Sequence, residues 1–489
     1  MDLRRIVVSS ILLATLLFAA NLAAQTNLPP IAGPQWSHNL PIYEVNLRQY
    51  TPEGTFKAFE QHLPAIKTLG IGIIWFMPIH PSGQDPKSFG SFYCVKDYLD
   101  INPDYGTKQD FKRLIDRIHE LGMYAIMDWV PNHSSWDNPL ITRHPDWYKK
   151  DAGGNIVQAY GWKDVAAFDY SNRALWRYMA DGYTYWIKEF GIDGFRCDVA
   201  WAVPIEHWGW LRPEIEKAGR PLFMLAEANE SRHHPAFDMT YDWNLPPIMW
   251  AIAKGTRPAA AIDDMLEKEN KEYPPGAVRM RFTYNHDYNW GWRLADKYAG
   301  GVQTFAVLCA TLPGKPLIPN GQEVGLDRRL PGGTRGPRQP IEWTAGPLQD
   351  FYTRLFHLYQ KSPALYAGRF VKVKSTRDDK VYAYLRQSGE EKVFVILNLS
   401  NESQQVTLHS DLTSGDYREL FSEEKVVFSP KTELDLKPWE YRVYVHSEKF
   451  SAIPVAAVRS MRPSIGHPNY ASLPSNFAES TLSSPLIVW

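Results

Sequence analysis

Only three cysteines, Cys94, Cys197 and Cys309, occur in 489 residues, and they stand far apart. No disulfide framework can be built from them, and free, buried thiols are the expectation. Net charge is equally scarce. Lys and Arg number 53 against 54 Asp and Glu, a formal charge of −1, so long-range attraction does not recruit nucleic acid or an anionic membrane. No short His-x-x-x-His pair or cysteine-rich spacing points to zinc. No repeat recurs at a period of about 20 to 50 residues, which sets aside solenoids and propellers. The apolar run over residues 6–20 follows Arg4 and Arg5 and leads into the small residues Ala23 and Ala24. At about 15 residues it falls short of the roughly 20 of a membrane span. It reads as a signal peptide over residues 1–24, cleaved after Ala24, and predicts a secreted or periplasmic protein without stable membrane insertion.

Aromatic residues are plentiful. Eighteen Trp and 26 Tyr supply flat faces that suit sugar rings, although most will belong to the core. The hydrophobic share of 44% and charged share of 22% are those of a globular chain. Its length suits a barrel of about 250 to 400 residues with a smaller module. Between residues 36 and 363, short apolar runs alternate with segments of helical period, the pattern of a parallel sheet. The predicted strands are 42–47, 72–77, 124–130, 193–198, 221–226, 237–241, 279–284 and 316–319. Eight strands point to a closed (β/α)8 barrel. An open doubly wound sheet would more often carry a Gly-rich phosphate loop after its first strand, and none follows Leu47. A polar and aromatic stretch after the third strand, about 134–172, reads as a small inserted lobe. Residues 368–446 alternate as antiparallel strands of a C-terminal β domain. The Ser-, Pro- and Ala-rich tail, 451–489, reads as unstructured.

The chemistry gathers at strand ends. Strand four reads Gly194-Phe195-Arg196-Cys197-Asp198, and its period of two turns Gly194, Arg196 and Asp198 to the barrel interior. Barrel interiors are normally apolar, so this pair is either a structural ion pair or part of a reaction centre. Strand five ends in Glu227, and strand seven runs into Asn285-His286-Asp287. Three carboxylates at one mouth destabilise a fold unless something uses them, and glycoside hydrolysis needs two carboxyl groups flanking the scissile bond. Arg196 should keep Asp198 ionised as a nucleophile. Negative neighbours should hold the proton on Glu227, as a proton donor requires. His133, which closes Asp128-Trp-Val-Pro-Asn-His133, and His286 are candidates for binding substrate hydroxyls; a structural role is the alternative for each.

These segments resemble, in order, the four signature regions of the α-amylase family, glycoside hydrolase family 13. They are Asp128 to His133, Gly194 to Asp198, the Glu227 segment and Phe282-Thr-Tyr-Asn-His-Asp287. Trp75-Phe-Met-Pro-Ile-His80, Lys96-Asp97-Tyr98 with Asn102-Pro-Asp-Tyr-Gly-Thr107, and Asn320-Gly-Gln-Glu323 resemble flanking patterns of the family. The resemblance covers residues 36–446. It implies a catalytic TIM barrel, a small domain inserted after strand three and a C-terminal β sandwich. It further implies Asp198 as nucleophile, Glu227 as acid/base and Asp287 as the third carboxylate, which grips hydroxyls of the reacting glucose. Arg196, His133 and His286 would complete that subsite, with Tyr93 as the stacking tyrosine; Ser91-Phe92 precede it where the family usually has His-Gly. Trp201 and Ala202 stand where many starch-cleaving members have Lys and His, which implies different leaving-group subsites. Asn132 matches a position that often ligates calcium, but its usual His partner is missing. No cofactor is required, and calcium is admitted rather than expected.

The implied partner is an α-glucan or malto-oligosaccharide, hydrolysed mainly at α-1,4 bonds by double displacement. A transglycosylase would use the same residues. A non-catalytic carbohydrate-binding homologue could keep the barrel while losing the acids, but all three carboxylates are present.

Overall fold

The structure is a computed structural model that describes residues 32–88, 91–289, 291–329, 337–344 and 346–446. The expected signal peptide and the tail read as unstructured lie outside the described residues. In chain order, β1 (Ile42–Val45), β2 (Ile73–Phe76) and β3 (Tyr124–Trp129) lead into an inserted lobe. The lobe contains β4 (His133–Ser135), β5 (Gln158–Ala159) and β6 (Trp162–Ala167). Then come β7 (Gly194–Cys197), β8 (Phe223–Ala226), β9 (Met239–Tyr241), β10 (Val278–Arg281) and β11 (Lys315–Pro319). Eight of these, in the order β1-β11-β10-β9-β8-β7-β3-β2, close into a parallel barrel. Each overlaps one of the eight strands predicted from the sequence.

The alternation along each strand sorts two cores. Ile42, Ile73, Trp75, Ile126, Phe223, Leu225, Met239, Tyr241, Met280 and Leu317 fill the barrel interior. Phe195 and Cys197 face outward into the larger cluster under the helices. Helices cover that outer face where apolar residues recur at helical spacing. Lys108–Glu120 buries Phe111, Leu114, Ile115 and Ile118, and Thr107 and Asp110 form a reciprocal capping box at its start. Gly194 opens β7 where the backbone of β8 comes closest. A Cβ there would lie 1.9 Å from the Phe223 carbonyl oxygen.

The lobe is a three-stranded antiparallel sheet in the order β4-β6-β5. The C-terminal domain comprises β12 (Arg369–Ser375), β13 (Val381–Ser388), β14 (Glu391–Asn398), β15 (Gln404–His409), β16 (Gly415–Glu419), β17 (Lys425–Phe428), β18 (Lys431–Leu436) and β19 (Tyr441–His446). These strands pair antiparallel in the order β17-β16-β19-β14-β13-β12-β15-β18. The expected antiparallel β domain is present, and its two parts are joined through β12. Arg369 to Val373 of β12 pair with β13, whereas Lys374 and Ser375 pair with β15. Side chains from both parts, Val406, Leu408 and Leu436 with Phe394, Ile396 and Phe428, share one core. Cys94, Cys197 and Cys309 are free and buried. Among the described residues no helix is long and apolar enough to cross a membrane.

Candidate active site

The carboxyl ends of the barrel strands meet around one buried guanidinium. Arg196 is 0% exposed. Its Nη1 donates to Asp128 Oδ1 at 2.9 Å and to Asp198 Oδ1 at 2.7 Å, while Nη2 lies 2.8 Å from Glu227 Oε2. Its Nε donates to the Tyr241 hydroxyl at 3.1 Å. Burial works against this charge, but Asp128 and Glu227 more than offset it, and the guanidinium stays charged. The expectation that Arg196 serves Asp198 is thus too narrow, because one cation contacts three strand ends.

The two adjacent carboxyl groups are held differently. Cys197 pairs with Ala226 in neighbouring parallel strands, and Asp198 and Glu227 stand one step beyond that pair. Glu227 Oε2 takes the Arg196 contact and also the Val199 backbone N–H at 2.7 Å. That N–H points inward because Val199 adopts φ 47° and ψ 38°, a left-handed conformation costly for a β-branched residue. Among the described residues, Glu227 Oε1 and Asp198 Oδ2 have no such contact, so each carboxyl group keeps one oxygen for other use. Burial is the largest cause that pushes the Glu227 carboxyl up, to about 8, with Asp198 and Asp287 adding to it and Arg196 opposing. Crowding by like charge, the cause expected from the sequence, is therefore secondary. Burial likewise raises Asp128, against the pull of Arg196.

Asp287 projects further from the barrel, with its side chain 37% exposed. Asn285 Nδ2 donates to its Oδ2 at 3.0 Å. His286 Nε2 lies 3.3 Å from Asp287 Oδ1 and 2.9 Å from the Tyr93 hydroxyl, and that hydroxyl also donates to Asp128 Oδ2 at 3.2 Å. Tyr93 and His286 stack, with centroids 5.7 Å apart. The two histidines shift in opposite directions. Burial lowers His133, against the pull of Asp198 and Asp164, and Asn132 Nδ2 donates to its Nδ1 at 3.1 Å. Burial also works against a charged His286, but Asp287 and Glu44 raise it to about 9. The structure thus brings Asp198, Glu227, Asp287, Arg196, His286 and Tyr93 into one network, with His133 beside it.

Sequence reasoning missed Glu44, Asp128 and Tyr241 as individual members of this network. The signal was available for the first two. Glu44 shares its strand face with Ile42, and Asp128 shares its face with Ile126, the same parity that drew attention to Arg196. On the lobe side, the half-buried Trp201 lies against Tyr160 at 4.9 Å. Tyr160 is 53% exposed and lies 5.6 Å from Trp162, whose ring stands edge-on to His133 at 5.7 Å. These rings continue from the carboxylates toward solvent.

Among the described residues no group of three or more His, Cys, Asp or Glu side chains is placed to hold a metal ion. Asn132, where the resemblance admits calcium, lines a pocket shared with Lys149 and Arg173. Asp169 and Glu206 line the same pocket and balance those two charges.

Known proteins resemble this chain over most of its length. Residues 25–155 match the alpha amylase catalytic domain, and residues 371–443 match the maltogenic amylase C-terminal domain. The crystal structure of a noncanonic maltogenic α-amylase from Thermotoga neapolitana superimposes with a TM-score of 0.77 at 31% identity, over 84% of this chain and 99% of that one. Alpha-amylase 2 of Dictyoglomus thermophilum is 28% identical over 80% of this chain and 73% of its own length. A cyclomaltodextrinase from a Bacillus species is 27% identical over 74% of this chain and 68% of its own. The chain belongs to the α-amylase family, with a maltogenic-amylase type of C-terminal domain, and is a glycosidase that hydrolyses O-glycosyl bonds.

Proposed function

We propose that the protein is a retaining hydrolase of α-1,4-linked malto-oligosaccharides, acting through a covalent glucosyl ester on Asp198. The observation that carries this reading is the shared guanidinium. Arg196 binds one oxygen of Asp198 and one of Glu227 at the ends of neighbouring strands, which lie about 4.8 Å apart. Such a pair leaves no room for a water between the carboxyl groups and fits the roughly 5 to 5.5 Å of a retaining pair.

In the first step Asp198 Oδ2 attacks the anomeric carbon, the bond to the leaving oxygen breaks, and Glu227 Oε1 delivers its proton to that oxygen. In the second, Glu227 takes a proton from water, the water oxygen attacks the same carbon, and the ester bond breaks to regenerate Asp198. The raised Glu227 keeps its proton at neutral pH. Asp287, His286, His133, Arg196 and Tyr93 would bind the reacting glucose. Trp201, Tyr160 and Trp162 offer ring faces for the leaving sugar. A sugar acceptor could stack on the same faces, which is the observation favouring transglycosylation as the second reading. The apolar segment behind Arg4 and Arg5 supports export; a mature chain beginning at Gln25, read by N-terminal sequencing, would test it.

Proton NMR of a fresh maltotriose reaction tests the main reading. The α-anomer should appear first. A β-anomer appearing first would mean inversion and would refute Asp198 as nucleophile. Products longer than maltotriose would identify a transglycosylase.

A further inference from the structure

We propose that Glu44 is a positioning residue of the active site: it is the buried counter-charge that keeps His286 a cation with its Nε2–H turned toward the substrate cleft. This rests on the reading of the cleft as a sugar site. Glu44 lies in the first barrel strand, 242 positions from His286 in the chain. It is 1% exposed, on the interior face of β1 and in register with Trp75 of β2 and Pro319 of β11. A carboxylate in that wall is stable only if a cation meets it. Among the described residues, the only side chain it bonds is His286, whose Nδ1 donates to Glu44 Oε1, while Glu44 Oε2 is buried without a partner.

The pairing fixes the histidine in three respects. The Nδ1 proton is committed to Glu44, so any further donor must be Nε2. Nε2 faces the Tyr93 hydroxyl and Asp287. Tyr93 stacks on the ring, and Trp75 meets it edge-on at 5.7 Å, so it cannot turn. The charged and titratable groups around it are Glu44 from β1, Tyr93 from the segment after β2, Asp128 from β3, Arg196 from β7 and Asp287. Arg196 opposes the imidazolium. Asp287 projects into the cleft, where a bound sugar would compete for it, whereas Glu44 is 1% exposed and meets the ring at Nδ1. Glu44 therefore stays paired with the ring when sugar is bound, and it acts on substrate only through His286.

The test uses the full-length enzyme and Glu44→Gln, which keeps the shape and one acceptor but removes the charge. With maltotriose, the loss in kcat/KM should be smaller at pH 6 than at pH 8. His286 should titrate about two pH units lower, below the limb that Glu227 sets at about 8, so that roughly tenfold is lost at pH 8. Glu44→Asp should restore part of that loss. Superimposable profiles for wild type and Glu44→Gln would overturn the proposal. Histidine 15N NMR provides a readout that does not need turnover, with His286 assigned from the spectrum of His286→Gln. Its imidazolium signal should persist at pH 8 in the wild type and be lost there in Glu44→Gln; an unchanged titration would also overturn the proposal. If the wild type proved inactive on maltotriose, the NMR titration would still decide the role of Glu44 while the sugar-site reading failed.

Discussion

Replacement of Arg196 by lysine tests the shared guanidinium most directly. Arginine offers a planar fork that reaches Asp128, Asp198, Glu227 and the Tyr241 hydroxyl together. A lysine keeps the charge but presents one ammonium, which can satisfy about two of these four partners. Hydrogen bonds to charged groups are worth about 1.5 to 3 kcal/mol each. Two lost bonds then amount to about 3 to 6 kcal/mol, or roughly 10²- to 10⁴-fold in kcat/KM if the loss falls on the transition state. Arg196→Ala goes further and leaves buried carboxylates without a cation, at a cost of about 3 to 5 kcal/mol of stability.

The sign of the pH dependence follows from the same contacts. Glu227 and Asp128 already titrate above their unfolded values, and without the guanidinium the carboxyl groups at the strand ends should titrate higher still. The unfolded chain then binds fewer protons between the two values, so the stability of the variant falls as pH rises from about 4. Steady-state kinetics on maltotriose and melting curves at pH 5 and pH 8 provide the assay. The gap in Tm between Arg196→Ala and wild type should be wider at pH 8. Normal turnover by Arg196→Lys, or a gap independent of pH, would refute the idea that one cation serves all three strand ends.

Three further outcomes are expected. Asp198→Ala should lose hydrolysis almost wholly while keeping the wild-type circular dichroism, since it removes the atom that forms the ester; normal turnover would exclude that role. Glu227→Gln should slow maltotriose far more than aryl glycosides with good leaving groups, and wild-type kcat/KM should fall as pH rises through about 8, where Glu227 loses its proton. Equal losses on both substrates would argue against the acid. Gly194→Ala should lower Tm or abolish soluble expression, because its Cβ would meet the Phe223 carbonyl oxygen at 1.9 Å and the β7–β8 pairing must shift; an unchanged Tm would show that the strands yield freely.

Much of the fold was legible because it rests on local patterns. Period-two alternation turned Gly194, Arg196 and Asp198 inward while Phe195 and Cys197 joined the outer core, and the structure keeps that sorting. The C-terminal strands were legible for the same reason. The switch of β12 from one partner strand to another was not, because it depends on pairing between segments distant in the chain.

The sequence by itself determined the eight-stranded parallel barrel, the position of the inserted lobe and the carboxylates at one mouth, since strand parity and strand-end position are set within a few neighbouring residues. Only the tertiary structure decided how the charges are shared. Arg196 answers Glu227 as well as Asp198, Val199 takes a left-handed turn to aim its N–H at Glu227, and Glu44 finds His286 across most of the barrel sequence. It also shifted the two histidines in opposite directions, because burial prevails at His133 while two carboxylates outweigh it at His286. A pKa depends on burial and on every charge within a few ångströms, and no local stretch of sequence contains that sum.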